Sequence, residues 1–149
     1  MRVVLQRVTH GSVTVDGEVT GSVDAGFVAL VGVTDGDTEA EAKLLAKKTA
    51  NLRVFEDENG KMNLSALDIG GGVLVISQFT LYADMRKGRR PSFTKAAHPD
   101  VAAPLVEHYA ACLAEEGITR IEHGVFGAMM QVEIHNNGPT TIILDTAEL

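Results

Sequence analysis

The chain has 149 residues, 45% of them hydrophobic and 22% charged, with a formal charge of −7. That length fits one domain, residues 1–149, large enough to bury about two-thirds of its unfolded surface without a staple. Cys112 is the only cysteine, which excludes an internal disulfide and a thiolate metal cluster and suits a reducing compartment. No basic-then-apolar leader opens the sequence, and no apolar run approaches the roughly 18–20 residues of a membrane span. A soluble cytoplasmic protein without a membrane partner is expected.

Arg2–Val8 reads as a strand, with Val3, Val4 and Leu5 at its start. Val13, Val15, Val19 and Val23 then alternate around Asp16-Gly17, a dipeptide that accepts the positive φ angles of a tight hairpin. Phe27–Val33 is nearly all apolar and predicts a strand buried on both faces. The period then changes. Thr38 and Glu41 form a capping box, and Ala42, Leu45, Thr49 and Leu52 fall on one helical stripe. Glu56–Lys61 holds Asn59-Gly60 and reads as a turn, and Val73–Phe79 reads as a central strand.

Asp84–Pro99 contains two prolines and a basic cluster, so an irregular segment is expected there. From about Asp100 to Glu116 a helix would carry Val101, Leu105, Tyr109 and Cys112 on one face and stop at Gly117. Pro104 is tolerable in such a helix only within the first turn. Two last strands, Met130–His135 and Thr140–Asp145, would flank a turn at Asn136–Pro139. The pattern is that of an α+β fold: two helices against a mixed, largely antiparallel sheet.

The familiar catalytic constellations are missing. There is no Gly-x-Ser-x-Gly elbow, phosphate-binding glycine loop or His-Glu-x-x-His helix. The five histidines lack ligand-like spacing, so neither a metal nor another cofactor is expected. Arg86, Lys87, Arg89 and Arg90 cluster on an otherwise acidic chain and would either hold phosphates or form a solvated loop. Ser77-Gln78-Phe79-Thr80-Leu81 places polar groups where an apolar strand ends, a place where backbone amides leave the sheet and face ligands. The same groups could simply bond the next turn. In Asn136-Asn137-Gly138-Pro139-Thr140-Thr141, proline directly after the glycine removes a donor where a strand should begin, and a cis bond would be a specific choice.

Together, Ser77–Leu81 and Asn136–Thr141 resemble the paired signature of the D-aminoacyl-tRNA deacylases. Met1–Val8, Asn51–Phe55, Gly60–Ser65 and Arg90–Phe93 are similar to further blocks of that family, so the likeness spans nearly the whole chain. Asn137 stands where many members have Asp, and His10-Gly11 replaces small residues. The resemblance implies a β-barrel-like domain that pairs as a homodimer with active sites at the interface. The implied substrates are the acceptor ends of tRNAs carrying D-amino acids, and glycine mischarged on alanine tRNA. It further implies that Ser77, Gln78, Phe79 and Thr80 form the catalytic pocket. Gly138-Pro139, steadied by Arg7 and flanked by Asn136 and Thr141, would then be a cis-proline element inserted into the partner's pocket. Catalysis by Thr80 and catalysis by the terminal ribose 2′-hydroxyl of the tRNA both remain open, as does a non-catalytic tRNA-binding module on the same fold.

Overall fold

Strand β1, Arg2–Val15, has neighbours on both edges along most of its length. The computed structural model describes residues 1–149. On one edge β1 pairs antiparallel with β3 (Gly26–Gly32) through Arg2–Val8 and with β2 (Glu18–Val23) through Gly11–Val15. The expected hairpin at Asp16-Gly17 joins β1 to β2, although Val19 near its tip is exposed because no layer faces it. Beyond β3 the sheet continues parallel, through β6 (Gly72–Ser77) to β7 (Ile121–His123). The sheet then curls until β2 meets β7, where Arg120 donates to Ser22 O (3.0 Å) and Thr20 Oγ1 to His123 O (3.4 Å). A nearly closed, mixed, barrel-like sheet results.

Alternation along β1, β3 and β6 sorts the core into two layers. Val3, Leu5, Phe27, Ala29, Val31, Val73 and Val75 face the helices and join Leu45, Tyr109 and Leu113 in the main core. Val28, Leu74 and Ile76 point the other way, into a smaller core with Val8, Val13 and Val23 that Val132 and Ile134 partly cover. β3 and β6 are thus buried on both faces, as their unbroken apolar runs predict.

Helix α1 (Glu39–Asn51) starts at the expected capping box, with Thr38 N donating to Glu41 Oε2 (2.6 Å). The turn at Asn59-Gly60 closes a small hairpin of β4 (Phe55–Glu56) and β5 (Met62–Leu64). A short helix α2 (Ala66–Ile69) follows, so there are three helices and not two. One turn is too short to show a 3.6-residue period. Its signature is local: Ser65 and Asp68 cap each other, through Asp68 N to Ser65 Oγ (3.1 Å) and Ser65 N to Asp68 Oδ2 (2.8 Å).

Helix α3 (Pro99–Glu116) begins one residue earlier than expected, with Pro99 in its first turn and His98 as the cap. Pro104 therefore lies in the second turn. The carbonyl it leaves without a donor is that of Asp100, an exposed residue, so water can serve it. Leu105, Tyr109 and Cys112 face the core as expected, but Val101 is 46% exposed. Glu39 at the start of α1 lies beside His108 (3.9 Å), so the first turns of α3 overhang α1 and Val101 has nothing to pack against. No helix is long and apolar enough to cross a membrane.

The last strand departs most from expectation. Met130–His135 and Thr140–Asp145 are not two strands around a turn but one strand, β8 (Gln131–Asp145), paired with β1 throughout. Asn136–Pro139 is not a hairpin turn, because both flanks share one partner. Between the pairs Gln6–Thr141 and Val8–Asn136, β1 has a single residue, Arg7, while β8 has four, residues 137–140. The excess must leave the ladder, and it stands out as a bulge.

Candidate functional site

Two segments carry the polar groups singled out in the sequence, and the fold builds each differently. The first is the end of β6. Gln78 N makes the last ladder bond, to Val31 O (2.8 Å), and Gln78 then turns out of the sheet (φ −146°, ψ 83°). Phe79–Tyr82 winds into a single 3-10 turn. The amides of Phe79 and Thr80 have no acceptor within that turn, since their partners would have to lie before it. Gly32 makes the close approach possible: a Cβ there would sit 3.1 Å from Leu81 Cβ and 3.2 Å from Gln78 O.

Ser77, Gln78 and Phe79 line one wall of an open cavity of about 770 Å³, roofed by the start of α3 and by the segment Phe126–Met130. The lining is mostly apolar, and His98 is its only titratable side chain, with Nδ1 accepting from Asp100 N (3.2 Å). Phe79 is 57% exposed and meets Phe93 edge-on, with ring centroids 4.9 Å apart. The Thr80 hydroxyl accepts from the Gln78 side-chain amide, and no carboxylate or imidazole bonds it.

The second segment is the bulge of β8. Asn137, Gly138 and Pro139 are exposed, the Gly138-Pro139 peptide is cis, and Gly138 has φ +129°, a conformation that favours glycine. The loop is held from below. Arg7, 4% exposed, donates from Nε to Asn137 O (3.0 Å) and from Nη1 to Val54 O (2.6 Å). The Asn136 side chain accepts from Thr140 N (2.8 Å) and donates to Gln6 Oε1 (2.5 Å), which also accepts from Thr141 Oγ1 (2.5 Å). The bulge is a braced projection, held by the side chains of Arg7, Gln6, Asn136 and Thr141.

Within one chain the two segments stay apart. Ser77 lies level with Val31 and Val3 across the sheet, whereas the bulge lies level with Arg7. That is four residues along the ladder, about 13 Å at the usual rise. Neither Gly138 nor Pro139 lines the cavity.

Residues 4–145 match the model of the D-Tyr-tRNA(Tyr) deacylase family. The chain belongs to that family. Proteins named D-aminoacyl-tRNA deacylase are 60% identical in Thermus aquaticus (99% of this chain, 97% of theirs) and 61% identical in Roseiflexus castenholzii (99% and 93%). A solved structure named c-Myc DNA Unwinding Element Binding Protein is 40% identical and superposes with a TM-score of 0.92, covering 98% of this chain and 99% of that one. A structure described as a probable eukaryotic D-amino acid tRNA deacylase has a TM-score of 0.81 at 17% identity, a likeness of fold covering 96% and 97% of the chains. Membership of a deacylase family makes the chain a hydrolase.

Against this family background, the sequence-predicted residues divide. Ser77, Gln78 and Phe79 meet at the cavity wall, and Thr80 follows in the turn. Arg7, Asn136, Gly138, Pro139 and Thr141 meet at the bulge, with Asn136 and Thr141 bonded inward to Gln6. Arg86, Lys87, Arg89 and Arg90 lie on an exposed loop pinched shut by mutual Asp84–Ser92 backbone bonds (2.7 and 3.0 Å). Arg86 is engaged there: its hydrogen bonds hold the Asp84 carboxyl well below the usual carboxylate range. Lys87, Arg89 and Arg90 have no acidic partner. Sequence reasoning missed Gln6 and Val54 as supports of the bulge, and Phe93 and Phe126–Met130 around the cavity. Gln6, Val54 and Phe93 lie in blocks already similar to the family. The run Gly124–Met130, apolar residues punctuated by glycines, was the signal for the roof.

Proposed function

We propose that the chain hydrolyses the ester of D-aminoacyl-tRNA to free tRNA and amino acid, as a homodimer in the cytoplasm, where charged tRNA is used. The observation that carries this reading is the cavity walled by Ser77–Phe79 in a chain that matches a deacylase family almost end to end. An aminoacyl ester is already activated, so the demands on the protein are modest. The amides of Phe79 and Thr80 are suited to receive the developing oxyanion, and one such donor is worth about 10²–10³ in rate. Water is activated by the terminal ribose 2′-hydroxyl of the tRNA. Thr80 is the rival nucleophile, but its hydroxyl is bonded by an amide and no base accompanies it.

Chirality demands a repulsive element, because both enantiomers offer the same amino and carbonyl groups. The braced Gly138-Pro139 loop fits that role. It would stop an L side chain by contact, let a D side chain point away, and find nothing to exclude in glycine. It lies too far from its own cavity to do so, which favours insertion into the cavity of a second copy. β8 supports this arrangement: it pairs only with β1, leaving a long strand edge free for an isologous contact.

Catalytic amounts of the protein should release D-tyrosine from D-tyrosyl-tRNA and spare matched L-tyrosyl-tRNA, with EDTA present and no nucleotide added. Tight binding without turnover would favour a nucleic-acid-binding module instead, a reading that the name of the 40%-identical structure raises. Thr80→Ala should fold and keep most of its activity; a fall of several orders of magnitude in kcat would make Thr80 the nucleophile. Alanine at Lys87, Arg89 and Arg90 should weaken binding of all tRNAs alike. It should lower the salt slope by about 0.7–0.9 for each phosphate no longer neutralised. Arg86→Ala should do less, because Asp84 already holds that charge. An unchanged slope in the triple variant would leave the loop merely solvated.

A further inference from the structure

Arg7 has a counterpart at the start of its strand. Arg2 Nη1 donates to Leu81 O (2.6 Å), the carbonyl that follows the last backbone bond of the 3-10 turn, Ala83 N to Thr80 O (3.1 Å). The same guanidinium donates from Nε to Asp145 Oδ2 (2.8 Å), pairs ionically with that oxygen through Nη2 (2.7 Å), and lies 4.9 Å from the centroid of the Tyr82 ring. Asp145 is itself fixed: it is 8% exposed, and its second oxygen accepts from Ala147 N (3.0 Å). One planar group therefore joins β1, the end of β8 and the turn that carries Phe79 and Thr80.

Beyond the Phe79–Phe93 contact and the packing against Gly32, the hydrogen bonding that holds this turn is weak. A single 3-10 turn has poor hydrogen-bond geometry, and no side chain caps its start at Gln78. We propose that Arg2 is a positioning residue for the deacylation step: braced by Asp145, it holds the Phe79–Tyr82 turn so that the Phe79 and Thr80 amides face the reacting carbonyl. This rests on the reading of that turn as the reacting wall of the cavity. The arrangement is a ruler: on β1, Arg2 fixes the reacting turn and Arg7 fixes the excluding loop, each through a backbone carbonyl. Lysine cannot replace the fork, because one ammonium does not reach Asp145 and Leu81 in the same geometry.

The test compares wild type, Arg2→Met, Arg2→Lys and Asp145→Asn in deacylation of D-tyrosyl-tRNA, with folding checked by circular dichroism. In Arg2→Met, kcat should fall roughly 10–100-fold, the scale of an ångström misplacement, while KM moves by less than about twofold. Arg2→Lys should recover part of the loss. Preference for D over L should be intact in every variant, because the loop held by Arg7 is untouched. Asp145→Asn leaves the Leu81 bond but loosens its brace, and should show a smaller fall in kcat; it carries the test if Arg2→Met does not fold. A folded Arg2→Met with unchanged kcat, or a rise in KM alone, would overturn the proposal. Failure of the wild-type protein to release D-tyrosine would instead overturn the deacylase reading.

Discussion

The buried guanidinium of Arg7 is the constraint on which the rest depends. It sits where β8 must shed four residues against one of β1, and it gives the displaced backbone a fixed partner in place of water. Its second bond, to Val54 O, ties the bulge to the segment leaving α1. A charge this deep is stabilising only while its hydrogen bonds are made, so the bulge and its support exist together or not at all. Asn136 and Thr141 are in turn committed inward to Gln6, and Asn137, Gly138 and Pro139 are left exposed.

From this follows the separation of the two halves of the site. The bulge is set by Arg7, the reacting turn by the C-terminal end of β6, and the ladder fixes the distance between them. A sheet does not flex by four residues of register, so one chain cannot fold its loop onto its own cavity. The proposed function therefore requires two copies. On the proposed reading, chemistry and selectivity would be carried by different subunits in each site, and loss of the dimer would remove selection while leaving each chain its own cavity.

Much of the architecture was legible in the sequence because it obeys local rules. Phe27–Val33 and the apolar start of Val73–Phe79 read as buried strands because both faces are covered, although the second strand ends at Ser77, and Thr38 with Glu41 marks a helix start by hydrogen bonds three residues apart. What misled were features whose cause lies elsewhere in the chain. Asn-Gly in Asn137-Gly138 signals a hairpin, yet the partner of both flanks is β1, some 130 residues earlier in the chain. Val101 fits a helical stripe, yet α1 begins too late to cover it. The polar strand end at Ser77–Thr80 was legible as a place where the chain leaves the sheet, since its oddness is local. The apolar roof was not, because Phe126–Met130 becomes a cavity wall only when α3 and β6 are placed beside it.

Subunit complementation tests most directly the claim that each site is shared. A chain with Gly138-Pro139 deleted keeps its cavity but lacks the excluding loop; a chain with Phe79 replaced by alanine and Ser77 by leucine keeps the loop but has a spoiled cavity. Refolded together, they should form mixed dimers with one complete site, in which hydrolysis specific to D-tyrosyl-tRNA returns although neither chain alone provides it. Mixed dimers that form but never regain D-specific turnover would show that cavity and loop act within one chain, and would contradict the account.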